Sequence, residues 1–105
     1  MSDEKVYLIG IPEENRYKIG WTRGKIDKRI APLQTGNAKR LEIIHQFETE
    51  HYTKVETWMH NVHASKRMEG EWFELNDEDV FNFKKNCQKG HDMFQMLVES
   101  GNPFI

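Results

Sequence analysis

The sequence predicts a small α+β domain in which a three-stranded antiparallel sheet is flanked by helices. Two apolar runs, 6–11 and 17–22, are rich in β-forming residues and are separated by a Pro-Glu-Glu-Asn turn, which is typical of an antiparallel hairpin. Later segments carry apolar residues at helical spacing. At 105 residues the chain can build one modest core, so we expect a single domain over residues 1–105.

The hairpin strands predict which side chains share a face. Successive side chains of a strand point to opposite faces, so Tyr7 and Ile9 should lie on one face and Leu8 on the other. The first strand is apolar at nearly every position, which predicts cover on both faces. The same alternation separates Tyr17 from Lys18, so only one of them can join Tyr7.

The middle of the chain alternates helix and strand. Gly20 in the second strand predicts either the close approach of another group or a bulge. A short helix is expected over 25–34, although Pro32 removes one of its backbone hydrogen bonds. A third strand over 41–47 and an amphipathic helix over 51–66 follow.

The last third of the chain is predicted to be mostly helical. Residues 70–75 read as a short strand or an extended edge, and Asn76 or Asp77 should cap the next helix. Gly90 is expected to interrupt that helix. The helical extension over 77–105 is rich in Met and Phe near its end, and it should complete the core or, alternatively, form a homodimer surface.

Composition narrows the class of protein. Hydrophobic residues make up 37% and charged residues 30% of the chain, and no apolar run reaches the roughly 20 residues of a membrane span. The start of the chain is polar and does not resemble a signal peptide. Cys87 is the only cysteine and reads as a buried filler. We therefore expect a cytoplasmic or nuclear protein, neither secreted nor membrane-bound.

Charge is distributed unevenly along the chain. Between residues 16 and 40 there are eight basic side chains and one acidic one, whereas the overall net charge is -2. Such a stretch favours an anionic partner, and phosphate is the commonest large one. The alternative is an ordinary solvated face. On the first interpretation the partner is DNA, and the expected contacts are Arg16, Arg23, Lys25, Lys39 and Arg40.

Five short motifs stand in order along the chain: Val6-Tyr7-Leu8-Ile9, Tyr17-Lys18-Ile19-Gly20, Arg29, Val55-Glu56 with His60, and Gly70-Glu71-Trp72-Phe73-Glu74-Leu75. Their order over residues 6–75 resembles the GIY-YIG nuclease superfamily, and especially its small phage, viral and fungal branch, whose second motif reads Lys-Ile-Gly. The resemblance implies an endonuclease that hydrolyses phosphodiester bonds in DNA with one divalent metal, magnesium or alternatively manganese.

The resemblance also implies roles for individual residues. Tyr7, Lys18, Arg29 and Glu56 match the catalytic positions, with Lys18 where most members have a second tyrosine, and Glu56 matches the metal ligand. His60 is counted with the catalytic residues, as a group that hydrogen-bonds near the active site. By rough position, Asn76 is the candidate for the family's late asparagine, and Lys5 stands where the first motif usually has glycine.

The chemistry of these side chains agrees with those roles. A phenol with an ordinary pKa of about 10 needs a nearby cation to act as a base, and Lys18 or Arg29 can supply it. A guanidinium can bind two phosphate oxygens at once, which suits Arg29. Glu56 offers the hard oxygen ligand that magnesium prefers.

Other interpretations of the same residues remain open. Glu56, His60 and His63 share a helix face and could be taken for part of a zinc site. Trp21 is either core or a surface on which a nucleobase stacks. The whole chain could also be a catalytically silent nucleic-acid-binding or protein-interaction module on the same fold. No zinc-finger or helix-turn-helix signature indicates a target sequence.

Overall fold

The computed structural model describes residues 3–101 of the chain. Its main elements, numbered here in chain order, are β1 Lys5–Ile11, β2 Arg16–Thr22, α1 Ile26–Thr35, β3 Glu42–Glu48, α2 Tyr52–Val62, β4 Trp72–Glu74, α3 Asp77–Phe81 and α4 Phe83–Glu99. Short 3-10 turns occupy Pro12–Glu14 and Ala64–Lys66. No helix among these residues is long and apolar enough to cross a membrane. The tail predicted over 77–105 extends beyond the described residues at 102–105.

The sheet has four antiparallel strands in the order β3-β1-β2-β4, so the prediction of three strands was wrong. The additional strand, β4, pairs its three residues with Arg16–Lys18 of β2. Three residues are too few to show an alternating pattern, which explains why this segment read equally as an extended edge. The backbone N–H of Leu75 donates to the carbonyl of Asn15 at 3.0 Å and ties the end of β4 to the hairpin turn.

Both faces of the sheet are covered, as the apolar first strand predicted. On one face Val6 and Leu8 pack with residues of α2 and α4, and on the other Tyr7 and Ile9 pack with Ile26 of α1. The first cluster consists of Val6, Leu8, Tyr17, Ile19, Val55, Met59, Phe73, Leu75, Phe83 and Cys87. The predicted alternation is confirmed, and Tyr17 belongs to the core on the face opposite Tyr7.

Two tyrosine–glycine pairs join β1 to β2. Tyr7 lies opposite Gly20, and Gly10 lies opposite Tyr17. A Cβ atom built on either glycine would collide with the ring of the tyrosine across from it. Gly20 therefore makes room for a protein group, the Tyr7 phenol, rather than forming a bulge.

The helices depart from prediction at two points. The helix predicted over 51–66 ends at Val62, and a 3-10 turn completes the segment. Gly90 does not interrupt α4, and the break falls instead at Asn82, between α3 and α4. Gly90 serves packing: a Cβ there would lie 2.6 Å from Cδ1 of Trp58 on α2. This position requires glycine because α2 and α4 pack closely there, and not because the helix is interrupted.

Candidate active site at the edge of strand β2

The predicted site residues gather where β4 stops and the edge of β2 continues. Next to the β2–β4 pairing, one more backbone hydrogen bond joins β2 to the residue before β4: the N–H of Ile19 donates to the carbonyl of Glu71 at 3.2 Å. The carbonyl of Ile19 accepts a hydrogen bond from a side chain, Nε2 of His60 on α2, at 2.9 Å. Beyond this point side chains, and not a further strand, bind the backbone of β2 at this edge, which creates a polar site at the edge of the sheet.

Tyr7 reaches this edge from the neighbouring strand because Gly20 has no side chain. The phenol passes over Gly20, and Arg29 of α1 donates from Nε to its oxygen at 3.4 Å. The sequence left Lys18 and Arg29 as alternatives for the cation beside Tyr7, and in the structure Arg29 is the cation that contacts it. That contact raises the pKa of the Arg29 guanidinium above its usual value.

Lys18 contacts a different partner, the carboxylate of Glu71. Its Nζ lies 2.7 Å from Oε2 of Glu71, and the lysine side chain is only 12% exposed. Alternation had predicted Lys18 and Tyr17 on opposite faces, and Tyr17 is indeed in the core. The Lys18–Glu71 pair was not predicted, because it depends on β4 lying beside β2.

Glu56 projects from α2 into the same cluster. Its side chain is 12% exposed. One oxygen from Glu56, one from Glu71 and a ring nitrogen of His60 all lie within 4.8 Å of one another. Burial, followed by the negative charge of Glu71, raises the pKa of Glu56 to about 7, although Lys18 and Arg67 oppose this effect. Burial and the neighbouring Glu71 carboxylate thus both favour the protonated form of Glu56.

The hydrogen bonds of His60 fix its tautomer. A carbonyl oxygen cannot donate, so Nε2 must carry the proton that it gives to Ile19. A guanidinium cannot accept, so Nδ1 must accept from Nη2 of Arg67, 3.1 Å away. Since both ring nitrogens are engaged, His60 positions the edge of β2 and the segment around Arg67. The carboxylates are then the groups left to hold a metal.

The donor set fits a hard divalent cation such as magnesium or manganese. Glu56 and Glu71 offer two carboxylates, one of them with a raised pKa, and such a pair is stabilised by a cation between or beside its oxygens. The alternative zinc set is not assembled, because His63 is buried and 4% exposed, and it does not join Glu56 and His60. Its Nε2 has no hydrogen-bond partner among residues 3–101.

The basic residues expected to contact DNA do not form one patch. Lys39 pairs with Glu14 at 2.8 Å, and the Arg16 guanidinium stacks on Trp72 at 4.6 Å. Arg40 lines a surface cleft together with three acidic residues, Glu13, Asp27 and Glu42. Arg23 and Lys25 are exposed in the segment that leads from β2 into α1. Of the five, these two follow the last residue of β2, whereas Arg16 is its first.

Two other predicted residues have structural roles. Asn76 caps α3: its side chain accepts from the N–H of Asp79, whose carboxylate accepts from the N–H of Asn76. Cys87 is fully buried, and burial raises the pKa of its thiol to about 12. A thiol in that environment is a core residue and not a nucleophile, as the sequence predicted.

Sequence reasoning missed Glu71 and Arg67. Both belong to the segment before β4, and Arg67 also donates from Nε to the carbonyl of Gly70 at 2.7 Å. The available signal was the acidic residue directly before Trp72-Phe73, in the fifth motif, where the resemblance assigns no role to a single residue. Its contact with Lys18 spans 53 residues of sequence and follows from strand pairing.

The fold and this cluster define a small α+β domain with a carboxylate-rich polar site at a sheet edge. The chain belongs to the T5orf172 domain family, whose model matches residues 4–88. That phage-associated family falls in the endonuclease-related group with GIY-YIG- and HNH-like proteins. The matched residues include every member of the cluster. No curated protein and no solved structure is significantly similar to the chain.

Proposed function

We propose that this protein is a metal-dependent DNA endonuclease of the GIY-YIG type. The observation that supports this function best is the convergence of Tyr7, Arg29, Glu56 and Glu71 at one edge of the sheet. These residues come from β1, α1, α2 and the segment before β4, so no local pattern brings them together. They supply the groups that phosphodiester hydrolysis needs: a proton acceptor, a phosphate-binding cation and oxygen ligands for a metal.

Each side chain then has a distinct task. Arg29 binds a non-bridging phosphate oxygen and orients the phenol that it contacts. Tyr7 takes the proton of the attacking water, which the hydrogen bond from Arg29 favours by stabilising negative charge on the phenol oxygen. Lys18 holds Glu71 in place and adds positive charge for the phosphate. His60 keeps α2, and with it Glu56, against the edge of β2.

Glu56 and Glu71 would hold the magnesium or manganese ion. When bound, the ion neutralises charge that develops on the phosphate and helps to activate water. The raised pKa of Glu56 supports this assignment, since a cation lowers the cost of ionising a buried carboxylate beside another one.

The test is cleavage of supercoiled plasmid with purified protein in magnesium or manganese. We expect nicking or cleavage that is abolished by chelation, by Glu56→Ala and by Arg29→Ala. Exposed Glu78→Ala on α3 is the matched control and should cleave normally. Absence of metal-dependent cleavage on single-stranded, duplex and branched DNA alike would contradict the proposal.

One observation favours the alternative of a catalytically silent nucleic-acid-binding or protein-interaction module. Lys18 stands where a tyrosine is usual, and its ammonium group already neutralises Glu71 at 2.7 Å. A site with its own internal cation can be stable without a metal. The same cleavage assay separates the two, because a silent module of either kind cuts no DNA under any metal condition.

A further inference from the structure

Trp21 lies on the face of β2 that packs into the core, but at the end of the strand where the side chain is no longer buried. It lies two residues after Ile19, opposite Val6, so it shares the face of Ile19 and Tyr17. Those two side chains are buried, whereas Trp21 is 37% exposed. Its ring is held in a T-shaped contact with Tyr52 of α2, with centroids 5.0 Å apart and planes at 61°. The indole is therefore partly exposed and packs against the ring of Tyr52.

This indole adjoins the carboxylate site along two elements. On α2, Tyr52 and Glu56 are four residues apart and so occupy the same face in successive turns. On β2, Ile19 binds His60 through its carbonyl, and Trp21 is the next residue on the same face. The platform formed by Trp21 and Tyr52 thus stands about one helical turn from Glu56.

Positive charge follows directly after the platform. The chain leaves β2 through exposed Arg23 and Lys25 and enters α1 at exposed Lys28. An aromatic surface followed by cations is how proteins hold single strands, with bases stacking on rings and phosphates contacting the basic groups. Within an intact duplex both faces of each base are covered by stacked neighbours, so away from duplex ends this platform engages a base that has left the stack, as in a single strand or at an unpaired position.

We propose that Trp21, held by Tyr52, stacks on an unpaired base of a DNA strand whose neighbouring phosphates contact Arg23 and Lys25. This inference rests on the proposed function and specifies its substrate class: single-stranded DNA, or duplex DNA with a locally unpaired base beside the cleaved bond. The base on Trp21 places the adjoining phosphodiester at Glu56 and Glu71.

Binding is measured by fluorescence anisotropy, without metal, using a fluorescein-labelled oligothymidylate and a labelled, fully paired duplex made from two separate strands. We expect wild type to bind the single strand more tightly. Trp21→Leu should weaken single-strand binding roughly 5- to 100-fold and leave duplex binding unchanged, while Trp21→Phe should recover much of the loss. Circular dichroism verifies folding, and Trp21→Gln, a polar replacement suited to a partly exposed position, serves as the test variant if Trp21→Leu does not fold.

A charge control separates stacking from electrostatics. The double variant Arg23→Gln with Lys25→Gln should reduce the dependence of single-strand affinity on salt, by about 0.7 in logarithmic slope for each phosphate that is no longer neutralised. Trp21→Leu should keep the wild-type slope, because an indole neutralises no phosphate. A slope that falls in Trp21→Leu would count against stacking.

Other outcomes overturn the inference in distinguishable ways. If Trp21→Leu binds oligothymidylate as wild type does while wild type still cleaves DNA, the platform is wrong and the proposed function stands. If Trp21→Leu changes only the oligomeric state in light scattering, the indole is a contact between copies of the chain. If wild type neither binds nor cleaves any DNA, both proposals fall.

Discussion

Replacing Glu56 by glutamine should stabilise the metal-free protein at alkaline pH. Burial and Glu71 raise the pKa of Glu56 from 4.5 to about 7, so the folded protein binds this proton more tightly than the unfolded chain does. The contribution of Glu56 to stability is therefore fully present below its unfolded pKa of 4.5 and is lost as pH rises through about 7. Glutamine resembles the protonated form and avoids that loss.

The size of the effect follows from the shift. A shift from 4.5 to about 7 corresponds to roughly 3 kcal/mol of unfolding free energy above pH 7, and solvent screening reduces this to about 1–3 kcal/mol. Glu56→Gln should therefore be more stable than wild type by that amount at pH 8 and by only a fraction of it at pH 5. Magnesium should raise the stability of wild type at pH 8 and leave the variant nearly unchanged.

Urea unfolding in a chelating buffer at pH 5 and pH 8, followed by titration with magnesium chloride, measures both effects. The exposed Glu78→Gln variant controls for the loss of a carboxylate and should show neither effect. The reasoning is refuted if Glu56→Gln is less stable than wild type at pH 8, or if its stability relative to wild type is the same at both pH values.

Two further predictions concern packing and a buried histidine. Gly90→Ala should lower stability by about 1–3 kcal/mol in thermal unfolding, because the new Cβ would lie 2.6 Å from Trp58, whereas Gly24→Ala, with open space around it, should change little. Burial lowers the pKa of His63, so the unfolded chain binds its proton more tightly and stability should fall as pH drops below about 6.5. His63→Leu should remove that loss in urea unfolding at pH 7.5 and 5.5, and an unchanged pH dependence would contradict it.

Local pattern predicted the hairpin and its faces. The alternation over 6–11 and 17–22 correctly placed Tyr17 in the core and Tyr7 on the other face, because strand side chains alternate whatever lies around them. For Gly20 the sequence left open the close approach of another group or a bulge, and the structure shows the first. The helices over 25–34 and 51–66 were predicted to within a few residues at their ends.

Non-local contacts account for what the sequence did not predict. Glu71 contacts Lys18 only because β4 pairs with β2, and a strand of three residues is too short for its sequence pattern to predict that pairing. Gly90 resembled a helix breaker, since its packing partner Trp58 lies on a different helix. Lys39 resembled a phosphate ligand because its acidic partners belong to the hairpin turn.

The two tyrosine–glycine pairs give the hairpin a single alignment. Tyr7 needs an opposing residue without a side chain on one face, and Tyr17 needs the same on the other. Sliding the strands by two residues in either direction removes both glycines from their tyrosines at once, and sliding by one exchanges the faces. A related chain could thus retain every charged residue of the cluster and still misplace its phenol if Gly10 or Gly20 were replaced. The glycines, which take no part in the chemistry, are therefore better markers of an assembled site than any one of its charges.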